Sequence, residues 1–396
     1  MVTEIRNEYN QRFSQAAYEQ VLAQIENECP GQLEFRIAET PVFMDRALRL
    51  KLEAAGKYIV DFITQPGFRQ MTEKAIPADC IVPNEPAHSH YLAIDYAICQ
   101  AKDGTLEPKL IELQGFPSLF AFQDWFSHIL SQHVYIPEGY DYFFSGLNSS
   151  TYQDLMQRTL VANHKPEEVI LLEIEPHRQK TRVDFCCTEK MLGVKAVCVT
   201  DVYAVGSRLY YELDGKSQLI RRIYNRVIFD ELHSLTDLKL RFDFATPYDV
   251  EWTGHPGWFF RISKYLLPLL DHESAPKARR VTEFNPPTQE LHKYVLKPLY
   301  SFSGQGVVFD VTPEDVAAVT DRENWILQEK VNYAPSIDSP VGGIKCEIRL
   351  LYLWPDGDAR PTLCTNLVRL SQGSMMGVRF NKDKTWVGGN TAFLER

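Results

Sequence analysis

The 396-residue chain has no Cys-x-x-Cys pair, no run of eighteen apolar residues, no internal repeat and no low-complexity tract. The first absence removes the common ligand spacing of a structural zinc site, and the second removes a membrane-spanning helix. Basic side chains are outnumbered, 42 against 52 acidic, and the net charge of −10 argues against organisation around nucleic acid or an anionic membrane. Neither a P-loop nor a dinucleotide fingerprint is present. The N-terminal segment is charged and helix-patterned and lacks an apolar leader core, so a soluble, cytoplasmic protein is expected. The eight cysteines, Cys29, Cys80, Cys99, Cys186, Cys187, Cys198, Cys346 and Cys364, mostly sit in apolar runs. Eight reduced, buried thiols are therefore expected, with no zinc site.

Hydrophobic residues at 44% and charged residues at 24% are ordinary for a folded enzyme of two or three domains. Three segments suggest themselves. Residues 1–160 begin with helices, to about residue 75, and continue into a strand hairpin. Residues 161–250 alternate strand, helix and strand, with a hairpin turn at Asp214-Gly215. Residues 251–396 open with a helical stretch through "GWFFRISKYLLPLL" and become strand-rich from Tyr294.

The stretch "YLAIDYAICQAKDGTLEPKLIELQG" reads as two strands joined by a two-residue turn at Asp103-Gly104, which sets Asp95 opposite Glu112. Alternation puts Glu112 and Gln114 on one side and Ile111 and Leu113 on the other. Two acids facing each other on a hairpin repel, so a compensating cation is expected beside them. Hard oxygen ligands of this kind suit Mg²⁺; pairing with Lys or Arg would satisfy them equally.

Farther on, "YVLKPLYSFSGQGVVFDV" reads as strand, loop and strand. Lys297 precedes a loop holding Ser303, Gly304, Gln305 and Gly306, a pattern that suits phosphate but also an empty glycine hairpin. The strand "WILQEKV" ends in Gln328, Glu329, Lys330 and Val331, where main-chain groups could read a purine. Arg349 and Arg369 each stand among apolar residues of a strand, and a buried arginine needs an anion, either a substrate or an internal acid. Arg178, Lys180 and Thr181 fall near a helix N-terminus, which favours carboxylate or phosphate, or else is a solvated first turn. His88 and His90 read as loop polar residues.

Taken in order, these segments resemble the ATP-grasp fold in circularly permuted form, as in glutathionylspermidine synthase-like enzymes. The hairpin resembles that family's metal-binding "E-x-N" strand pair, with Gln114 in place of asparagine. "RISKYLLPLL" resembles its "S-N-K-A-x-L-P" segment and brings Lys264 forward, and "ILQEKVNYAP" resembles its "Y-Q-x-L…P" strand. The resemblance implies an α/β fold with ATP-grasp lobes and a small Rossmann-like subdomain. It implies Mg²⁺ on Asp95, Glu112 and Gln114, and ATP on Lys264, Lys297, the glycine loop and residues 328–331. Arg369 and Arg349 would serve the transferring phosphoryl group, and Arg178, Lys180 and Thr181 an acyl substrate. The implied activity is ligation of a small carboxylate to an amine through an acyl phosphate. A phosphotransferase and a non-catalytic nucleotide-binding protein are the alternatives.

Overall fold

The computed structural model describes residues 1–300, 306–373, 376 and 381–396. The chain is a mixed α/β protein whose strands, among the described residues, form five sheets. The largest is antiparallel and joins both ends of the sequence. Its order is Gly388–Asn390, Thr362–Ser371, Gly342–Leu353, Tyr91–Gln100 and Leu106–Gln114, with Ile337–Ser339 paired to Gly342–Leu353. Tyr91–Gln100 is buried along all but its last residue. Its Ile94 and Tyr96 belong to the main core, while the side chains of Arg349 and Arg369 meet Asp95 on the alternate positions.

A second sheet is parallel: Glu251–Thr253, Arg222–Asn225, Val169–Glu173 and Lys195–Cys198. The helix Arg182–Leu192 connects the last two, which is the strand–helix–strand pattern expected from residue 165 onward. The Asp214-Gly215 turn is also present, both residues having positive φ between Arg208–Leu213 and Lys216–Ile220. A three-stranded sheet, Ala278–Arg280, Trp325–Glu329 and Tyr294–Pro298, lies over the end of the large hairpin. One of its faces packs Leu296 and Leu327 into a small core of its own with Val281, Leu291 and Val311, separate from the main core.

Several expectations are corrected. The first 75 residues are not helical throughout: the strand Val42–Met44 interrupts them and pairs with Ala392–Glu395 near the other terminus. The segment after Gly306 contributes only a bridge, Leu296 to Val308, instead of a strand. The long hairpin turns through three residues, with Ala101 and Thr105 closing the loop and Gly104 at φ 85°. An irregularity at Asp95/Tyr96 then shifts the register by one and restores Asp95 opposite Glu112. Finally, Cys29 and Cys186 form a disulfide with Cα atoms 6.3 Å apart. Sequence reading missed it because Cys29, at the end of one helix, and Cys186, within another, meet only in the folded chain, while the other six cysteines are free thiols.

Candidate active site

The large hairpin carries charge where its strands meet the C-terminal ones. Asp95 pairs directly across the sheet with Glu112 on one side and Arg349 on the other. Arg349 grips it with two bonds, Nε to Oδ1 at 2.6 Å and Nη2 to Oδ2 at 2.7 Å, and Arg369 adds a third to Oδ2 at 2.7 Å. Arg369 also bonds Glu347, its cross-strand partner, whose other oxygen accepts from the Tyr333 hydroxyl at 2.6 Å. Burial pushes the Asp95 carboxyl up, but the two guanidiniums outweigh it and hold it below the usual carboxylate value. The cation beside Asp95 is therefore guanidinium, the Lys or Arg pairing that the sequence left open. Glu112 and Gln114 converge: the Gln114 amide nitrogen donates to Glu112 Oε1 at 2.8 Å.

Gly115 ends the hairpin for a steric reason. Its N–H donates to the Ile262 carbonyl at 2.8 Å, and a Cβ there would sit 2.5 Å from the Trp258 carbonyl oxygen. This close approach brings the segment carrying Lys264 against the hairpin. Lys264 is buried on the short helix Lys264–Leu269; burial lowers its pKa against the pull of Glu112 and Asp230. Lys297 arrives from the three-stranded sheet. Its ammonium donates to Gln328 Oε1 at 2.6 Å and reaches the Ile111 carbonyl, 3.5 Å away. Burial lowers it to about 8, again against Glu112. Gln328 Nε2 is buried with no partner among the described residues. Two buried ammoniums thus face one half-buried carboxylate.

The carboxyl ends of the parallel strands supply a residue that sequence reading missed. Arg226 is 6% exposed; one nitrogen donates to Thr181 Oγ1 at 3.2 Å, and Nε and Nη1 are buried without partners among the described residues. Its guanidinium lies over the Phe116 ring, just beyond Gly115, at 4.8 Å. The adjacent Glu173 is also buried, and burial raises its carboxyl to about 8. The rule applied to Arg349, that a buried arginine needs an anion, would have found Arg226 in "RRIYNRVIF" had that strand been read as ending at Asn225.

Other expected site residues are placed as follows. Arg178 is exposed and bonds Glu175 at 3.0 Å, and Lys180 is exposed; only Thr181 of that trio meets Arg226. Gln328 turns inward to Lys297 and not to an open edge. The backbone N–H groups of Glu329 and Lys330 bond the carbonyls of Lys277 and Lys293, while the Lys330 ammonium reaches Asp310 at 3.3 Å; Val331, past the strand, is half-buried. Gly306 has φ 70° and lies against Pro298; Ser303, Gly304 and Gln305 lie outside the described residues. His88 and His90 lie in the loop before Tyr91–Gln100, as read: His88 stacks on Trp354 at 3.9 Å, and His90, buried there, bonds Asp356 at 2.9 Å.

No family model and no curated protein matches the chain. Among solved structures it is similar to a glutathione synthetase-like effector, GSS30, from Globodera pallida in its apo form. The match has a TM-score of 0.56 over 90% of this chain and 94% of that one, at 15% identity. At that identity the likeness is one of fold. Among the described residues no helix is long and apolar enough to cross a membrane.

Proposed function

We propose that the chain is an ATP-grasp ligase of the circularly permuted kind, joining a carboxylate to an amine through an acyl phosphate. The observation that carries this reading is the approach of Lys297 to Ile111. It sets a lysine from the strand before the glycine turn against the acidic hairpin from the other end of the sequence. The fold shared with a glutathione synthetase-like protein supports it.

The residues fit an anionic nucleotide. Two buried ammoniums, Lys264 and Lys297, and the orphaned amide of Gln328 would hold phosphates. The main chain at Lys330 and Val331 would read the base. Magnesium would be held by Glu112 and the Gln114 carbonyl; Asp95 serves instead to fix Arg349 and Arg369. When bound, ATP and its metal supply the phosphoryl group that activates the carboxylate. Arg369, with 38% of its side chain exposed, is held by Asp95 and Glu347 in position to meet charge developing on that group. Arg226 and Thr181 would anchor an anionic part of the acyl substrate, with Arg178 and Lys180 at the rim. The amine then displaces phosphate.

The test is ADP and phosphate release from ATP and Mg²⁺ with pools of small carboxylates, with and without amines. Amine-dependent release lost in Lys297→Met and Glu112→Ala is expected. Release without an amine would move the chain to the phosphotransferases. A specific observation favours a third reading, a nucleotide-binding protein without turnover: Asp95 accepts three hydrogen bonds from two arginines. That reading requires ATP to raise the melting temperature while no pool yields ADP.

A further inference from the structure

Asp79, Cys80 and His233 lie outside the site described above. Their ligand atoms fall within 4.8 Å of one another, and among the described residues this is the one group of three such side chains to do so. Asp79 and Cys80 sit on the single turn Ala78–Cys80, and His233 on the six-residue helix Phe229–Ser234. Cys80 Sγ is 3.7 Å from Asp79 Oδ1. A tetrahedral zinc ion with a sulfur and an oxygen ligand holds those two atoms about 3.6 Å apart.

We propose that these three residues bind a divalent transition-metal ion, zinc by preference, with one thiolate, one imidazole and one carboxylate and a fourth position open. Thiolate plus imidazole selects a borderline-soft cation over Mg²⁺ or Ca²⁺. On binding, the sulfur–hydrogen bond of Cys80 breaks, the sulfur keeps the electron pair and donates it to the metal, and the proton passes to solvent. Asp79 and His233 also line a cavity of about 290 Å³ with Phe229, Leu232 and Leu238, so the open position borders a space that a small ligand could enter.

The site has a structural consequence. Neither a three-residue turn nor a six-residue helix holds itself, and a metal would tie them together. The helix also carries Asp230, whose charge acts on both His233 and Lys264. The bound metal would therefore fix the distance of one carboxylate from a lysine of the candidate active site.

The experiment is titration of the full chain with Co²⁺ in oxygen-free buffer, read by absorption, followed by displacement with Zn²⁺. One Co²⁺ per chain is expected, with a sulfur-to-metal charge-transfer band that Zn²⁺ abolishes. Cys80→Ser should remove the band. His233→Ala and Asp79→Ala, both at exposed positions, should weaken binding at least tenfold while thermal unfolding of the metal-free chain stays cooperative. No Co²⁺ uptake, a band that survives Cys80→Ser, or affinity indifferent to His233→Ala would each overturn the proposal. None of these readouts depends on ATP turnover.

Discussion

Asp95 and Arg349 face each other directly across neighbouring strands and share two hydrogen bonds, at 2.6 and 2.7 Å. Both side chains are nearly out of solvent, at 2% and 11% exposure. Removing one partner of such a pair strands the other as a buried charge, which costs about 3–5 kcal/mol. Asp95→Asn strands part of two guanidiniums, so a loss at the upper end is expected in urea unfolding. The pH dependence has a definite sign. The folded carboxyl is held below its unfolded value of about 3.9. The pair's contribution is therefore whole above pH ~4 and drains away as pH falls toward the folded pKa. The substituted chain should lack that acid-side loss; a parallel decline in both proteins would show the pair to be irrelevant to stability.

Lys297 is shifted in the same direction for the opposite reason, its charged form being the one that folding disfavours. Its folded pKa, about 8, lies below the ordinary 10.5 because the ammonium is buried. Folding therefore favours the neutral amine. The wild type should gain stability as pH rises from about 8 to 10.5, and this gain should be absent in Lys297→Met. Nucleotide binding, which prefers the ammonium, should weaken over the same interval, as measured by calorimetry with ATP at several pH values. Affinity flat from pH 7 to 10 would take Lys297 out of the phosphate site.

What the sequence disclosed follows the range over which its signals act. Asp214-Gly215 and the facing of Asp95 and Glu112 are local, set by turn chemistry and strand alternation. Even there two offsets cancelled: a loop one residue longer than read and a one-residue irregularity beside Asp95. Arg349 announced that it needed an anion but not which one; the answer was Asp95, supplied by a strand some 250 residues earlier that alternation could not connect to it. The same limit hid the Cys29–Cys186 bond and the Asp79, Cys80 and His233 group, both made by segments that only tertiary packing unites. Arg178 shows the converse: a helix-terminus position read correctly, with the side chain turned to Glu175.

Gly115 tests how the hairpin and the Lys264 segment are fitted together. Its missing Cβ is replaced by the Trp258 carbonyl, 2.5 Å from where the carbon would be, and by Ile262 Cβ at 2.9 Å. Backbone cannot retreat as a side-chain end can. Gly115→Ala should cost about 1–3 kcal/mol as overpacking and push Lys264 away from Glu112. Thermal unfolding reads the first effect and nucleotide affinity the second. A variant with wild-type melting and binding would mean the segment is free to shift.

The Cys29–Cys186 bond closes a loop of sequence separation 157. It joins the end of helix Gln15–Glu28 to helix Arg182–Leu192. That second helix also carries Asp184, whose carboxylate accepts the N–H groups of Leu119 and Phe122 at 3.1 and 2.9 Å and so caps the helix after the hairpin. A crosslink that constrains a long loop in the unfolded chain stabilises by about 2–4 kcal/mol. Treatment with a reductant should lower the melting temperature, and Cys29→Ser should lower it as much. Reductant added to Cys29→Ser should then do nothing further, because the remaining cysteines are free thiols. Mass spectrometry after alkylation without reduction should leave Cys29 and Cys186 unlabelled. Six labelled thiols after unfolding would confirm the pairing, and eight would refute it.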